Sequence, residues 1–230
     1  MPPKLEAPVR LSDRLMLRSA ESRLVDGLWI GVSNLSDQSE TGIFERVEEA
    51  LRLIRSHDPR RYARLGRDIR RIWVRYQIAG NTGLYNSALD ACELDLRYVI
   101  RSDVEPGDIA STIVHEATHA RLHRLGYSES QRRRIEAACR HQEQAFSEHL
   151  PPPQAERIRE KLRRMDDVKD EFWSEASFSR RYEAGVGQAL RYLGIPRWLH
   201  PLFYALRSGT SVIRRLVRAV ARFASGLTCA

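Results

Sequence analysis

The chain has 230 residues, of which 42% are hydrophobic and 30% charged, so it can bury a core and is not a wholly disordered polymer. It holds no run of about 18 uncharged apolar residues, which excludes a bilayer-spanning helix, and Met1-Pro2-Pro3-Lys4-Leu5-Glu6 lacks the apolar stretch of a secretory signal. The net charge of +8 belongs to residues 180–230, which carry nine arginines against a single acid, Glu183, while the remainder is neutral.

Cys92, Cys139 and Cys229 are widely spaced and form no CxxC pair. That argues against a disulfide scaffold and against a cysteine-held zinc site, and it leaves small buried residues plus a tail thiol in a reducing cytoplasm. Composition divides the chain into an unassigned segment (1–41), a central domain (42–185) and a basic extension (186–230).

Residues 1–41 give no firm pattern. From residue 43 onward Ile43, Phe44, Val47, Ala50, Leu51 and Ile54 recur at helical spacing. A second helix is expected after His57-Asp58, with Pro59 in its first turn. Two alternating segments follow. Residues 71–78 put Ile72, Val74, Tyr76 and Ile78 on one face, and residues 92–100 do the same with Cys92, Leu94, Leu96, Tyr98 and Ile100. Turn residues Gly80-Asn81-Thr82-Gly83 lie between them, so a small, partly solvated antiparallel sheet is expected.

Pro106-Gly107-Asp108 breaks the chain, with Asp108 as expected N-cap of a helix from about 109 to 125, stopped at Gly126. Another helix runs from near Ser128 or Ser130 to the prolines at 151–153, and a charged one covers roughly 155–174. Residues 211–224 form a basic amphipathic helix, with Ile213, Leu216, Val217, Val220 and Phe223 opposite Arg214, Arg215, Arg218 and Arg222.

His115-Glu116-Ala117-Thr118-His119 falls inside the 109–125 helix. Residues four apart share a helix face, so the two imidazoles can reach one ion at about 2.0–2.1 Å each. Glu116, turned by about a hundred degrees, reaches a water rather than the ion, which separates two ligands from one general base. A third ligand must come from elsewhere, since the metzincin pattern fails at Leu122 and Leu125. Glu136 on the next helix is the first candidate, Glu143 the chief rival, and His123 and His141 weaker ones.

The motif 115–119, followed by a helix bearing Glu136-Ala137-Ala138, resembles the gluzincin metallopeptidases. Read through His123 it is similar to the minimal ImmA/IrrE type, from which Thr118 and Arg121 depart. The resemblance implies an α+β, mostly helical fold, with the small sheet packed on an active-site helix and a third-ligand helix. It implies zinc (Zn2+) on His115, His119 and Glu136, Glu116 as catalytic base, and a peptide or protein substrate. It also implies a sheet edge that binds substrate backbone, for which residues 92–100 are the matching segment, and an oxyanion donor among Tyr182, His141 and His149.

The expected location is cytoplasmic. The basic tail adds two readings besides a packed helix: an anionic membrane surface, with Trp198, Leu199, Leu202 and Phe203 at the interface, or a nucleic acid. A competing function is a metal-binding sensor or interaction module with little turnover.

Overall fold

A computed structural model describes residues 11–33, 42–77, 81–127, 131–166, 175–192 and 196–201. The chain divides into two units, Met1–Glu183 and Ala184–Ala230. In the second, the described residues form the end of a helix, with Val186 and Leu190 buried, and a 3-10 turn, Arg197–Leu199, whose Trp198 is exposed. The tail helix read at 211–224, together with Leu202, Phe203 and Cys229, lies outside the described residues.

The first unit is a mostly helical α+β fold around a five-stranded sheet. Its elements begin with α1 (Leu11–Ser19), β1 (Glu21–Val25) and β2 (Leu28–Ser33), so the unassigned N-terminal segment supplies two strands. In α2 (Ile43–His57) the buried positions are Ile43, Phe44, Val47, Ala50, Leu51 and Ile54, the apolar stripe of the sequence. Asp58 then caps α3 (Pro59–Asp68), its carboxylate accepting the Arg61 backbone N–H at 2.9 Å, with Pro59 in the first turn where no donor is needed.

The sheet corrects the expectation of an antiparallel, partly solvated layer. With β3 (Arg71–Arg75), β4 (Gly83–Asn86) and β5 (Ala91–Asp95), its order is β1-β2-β3-β5-β4. The three inner strands run parallel, and only β1 and β4 are antiparallel to their neighbours. The α2–α3 crossover between β2 and β3 makes that pair parallel. Inner strands are also covered on both sides. Ile72, Val74, Cys92 and Leu94 enter the main core, while Trp73 and Ala91 pack with Met16, Leu17 and Trp29 on the other face.

The alternation through residues 92–100 is likewise cut short. Asp95 ends β5 and caps the single-turn helix α4 (Leu96–Val99), accepting the Arg97 N–H at 2.7 Å. Leu96 and Tyr98 are therefore buried from a helical turn, and Ile100 is half exposed. The segment cannot be the sheet edge, because β5 lies between β3 and β4; the edge on this side is β4.

Helix α5 (Pro106–Arg124) begins earlier than expected. Its N-cap is Glu105, and Asp108 is the third helical residue, reaching back to accept the Glu105 N–H at 2.9 Å. It ends in a Schellman turn: Gly126, at φ 87°, donates to His123 O, and Tyr127 donates to Leu122 O. Then α6 (Arg132–Ser147) and α7 (Pro152–Asp166) pack beside it, burying Phe146, Ala155, Ile158 and Leu162 in the core. Residues 167–174, read as continuing α7, lie outside the described residues, and α8 (Glu175–Tyr192) follows.

Candidate metal centre

Helices α5 and α6 bring four donor side chains together. The Nε2 atoms of His115 and His119, one turn apart on α5, face each other at 3.0 Å. Glu136 of α6 straddles them, Oε2 at 3.4 Å from His115 Nε2 and Oε1 at 3.5 Å from His119 Nε2. Ligands held about 2.0–2.1 Å from a tetrahedral ion lie roughly 3.3 Å from one another, so these separations fit a shared ion. Cys139, one turn after Glu136, joins the same two histidines: the ligand atoms of His115, His119 and Cys139 all lie within 4.8 Å of one another. The cluster can hold a metal ion.

Glu143, the rival third ligand, does something else. Its Oε1 lies 2.5 Å from Nδ1 of His115, on the side of the ring away from His119 and Glu136, and its Oε2 accepts from Ser111 Oγ at 2.6 Å and Lys161 Nζ at 3.4 Å. A carboxylate on Nδ1 accepts the N–H there and leaves Nε2 as the nitrogen that can turn to a ligand. The sequence put Glu136 and Glu143 on one helix face, and seven residues of rise separate their tasks.

The charged groups here act strongly on one another. Burial opposes a charge on His115, but hydrogen bonds to Glu136 and Glu143 outweigh it and raise its pKa to about 10. Burial and the neighbouring His115 push His119 down to about 4. Burial also works against the Glu143 carboxylate, yet Lys161, His115 and Ser111 hold it ionised, down to about 2. The buried Cys139 thiol is pushed up, chiefly by desolvation.

Glu116 lies next to this group on a different face of α5. It is 6% exposed. Desolvation raises its pKa to about 7, Glu136 and Glu143 adding to the effect while His115 and a backbone hydrogen bond from Tyr85 oppose it. Strand β4 therefore runs directly against the carboxylate. A Cβ built on Gly83 would stand 2.6 Å from Thr112 Cγ2 and 2.9 Å from Glu116 Oε1, so only glycine permits this approach.

The remaining histidines have other surroundings. His123 sets its ring edge against Tyr85 at a centroid distance of 5.9 Å. His141 is exposed, and His149 stands 4.0 Å from Asp58, the cap of α3. The side chain of Tyr182 is outside the described ones. Sequence reasoning missed Cys139 as a member of the cluster; its spacing of three from Glu136 on one helix was the available signal. No protein family, curated protein or solved structure matches this chain. Among the described residues no helix is long and apolar enough to cross a membrane.

Proposed function

We propose that the protein is a zinc-dependent peptidase of gluzincin type, with His115, His119 and Glu136 holding the ion and Glu116 serving as general base. The observation that carries this reading is the convergence of Glu136 from α6 on both Nε2 atoms of α5, with a buried carboxylate beside them. Nitrogen and carboxylate donors suit zinc, and a bound zinc ion supplies Lewis acidity toward water and toward a scissile carbonyl.

The chain's own part is proton handling and alignment. A carboxyl whose pKa stands near 7 accepts a proton from the attacking water and returns it to the departing amine with little penalty either way. Glu143 keeps His115 in register while this happens. An extended peptide added to the outer side of β4 would run past Glu116, gaining main-chain hydrogen bonds with little demand on its side chains.

Digestion of a peptide library by the zinc-loaded full chain tests this. Cleavage by the wild type, abolished by a chelator and lost in Glu116→Gln with zinc retained, is the expected result. Cleavage that survives Glu116→Gln refutes the role of the base. One observation favours a second reading, a metal-holding module with little turnover: Cys139 sets a sulfur near the same two histidines. Stoichiometric zinc with no cleavage of any library peptide is its signature.

A further inference from the structure

Two cysteines of the first unit are fully buried, and their surroundings differ. Cys92 sits in the main apolar core, between strands. Cys139 is equally inaccessible but is in neither apolar cluster of the described residues; it lies at the α5–α6 seam beside His115 and His119. Its thiol makes no hydrogen bond to a described residue. A buried cysteine kept only for its volume would be expected among apolar side chains. This one has its sulfur within 4.8 Å of the ligand nitrogens of both histidines, and α6 presents it on the same face as Glu136.

Imidazole nitrogen and thiolate sulfur are both ordinary zinc donors. We infer that Cys139 is a sulfur ligand of this centre, alongside His115 and His119. The inference rests on the metal-centre reading above and adds a donor to it. On metal uptake the sulfur forms a bond to the ion and the thiol proton passes to solvent. A sulfur donor also biases the centre toward zinc or cobalt and away from magnesium or manganese.

Cobalt(II) replaces zinc as a probe, because a thiolate bound to it gives an intense near-ultraviolet charge-transfer band that nitrogen and oxygen donors do not. The metal-free full chain titrated with cobalt is expected to bind one ion and to develop this band. The band should persist in a Cys92→Ser, Cys229→Ser double variant, where Cys139 is the only thiol, and vanish in Cys139→Ser with cobalt still bound. One bound cobalt without the band in the wild type overturns the sulfur ligand while leaving the centre intact. No bound cobalt removes the centre itself, and this inference with it. Loss of the band from the double variant, or its survival in Cys139→Ser, assigns the sulfur elsewhere and likewise overturns it.

Discussion

The carboxylate of Glu143 lies 2.5 Å from Nδ1 of His115, on the side of the ring away from the cluster, and is itself pinned by Ser111 and Lys161. A ring held in this way presents its other nitrogen in a fixed direction. Glu143→Gln should therefore weaken zinc binding by about 10–100-fold, the usual range for an outer partner of a ligating histidine. Glu136→Gln, which alters a proposed ligand, should weaken it further. Chelator-competition titrations of the two variants rank them; an unchanged affinity in Glu143→Gln removes the positioning role.

Gly83→Ala tests the approach of β4 to α5. Its new methyl would meet Thr112 and the Glu116 carboxylate inside contact distance, and overpacking of this kind costs roughly 1–3 kcal/mol. Denaturant unfolding should give a lower midpoint, and peptide cleavage should fall because the displaced atom belongs to the proposed base. A variant with wild-type stability and turnover would mean the strand has room to retreat.

The buried Glu116 gives the metal-free chain a pH signature. Its pKa rises from 4.5 to about 7 on folding, so the folded site favours the neutral carboxyl. Stability from this group is complete below about pH 4.5 and is lost as pH rises through about 7. Glu116→Gln cannot ionise and escapes that loss. After chelation, the melting temperature of the wild type should drop relative to the variant between pH 5 and pH 8, by an amount equivalent to on the order of 3 kcal/mol at most. Parallel pH profiles for the two proteins would contradict it.

Local signals account for what the sequence made legible. The six-residue stripe of α2 is its buried face, and Asp58-Pro59 begins α3, because spacing and capping are decided within one or two turns. The sequence also nominated His115, His119 and Glu136, which α5 and α6 bring within 3.5 Å of one another. Sheet order was not legible. Whether β3 pairs with β2 or with β4 depends on where a crossover returns the chain, and β4 itself is only four residues long. Residues 92–100 misled because their alternation runs on past Asp95, whose side chain satisfies backbone donors and starts a helical turn instead. Cys139 was read as a small buried residue because no CxxC pair marks it, although its spacing of three from Glu136 puts both on one helix face.

Asp58→Ala checks the local argument on its own terms. The carboxylate caps α3 and also pairs with Arg61, so its removal should cost about 1–2 kcal/mol in denaturant unfolding, with zinc affinity unchanged because α3 contributes no donor to the cluster. A large loss of zinc would tie the cap to the centre through Arg61, which also donates to Gln142 of α6 at 3.2 Å.

Zinc titration of the chelator-stripped full chain by calorimetry tests the central claim most directly. One tight site per chain in the wild type, abolished in His119→Ala, is the result the account predicts. A wild-type chain that takes up no zinc, or a His119→Ala chain that binds as well as the wild type, would contradict it.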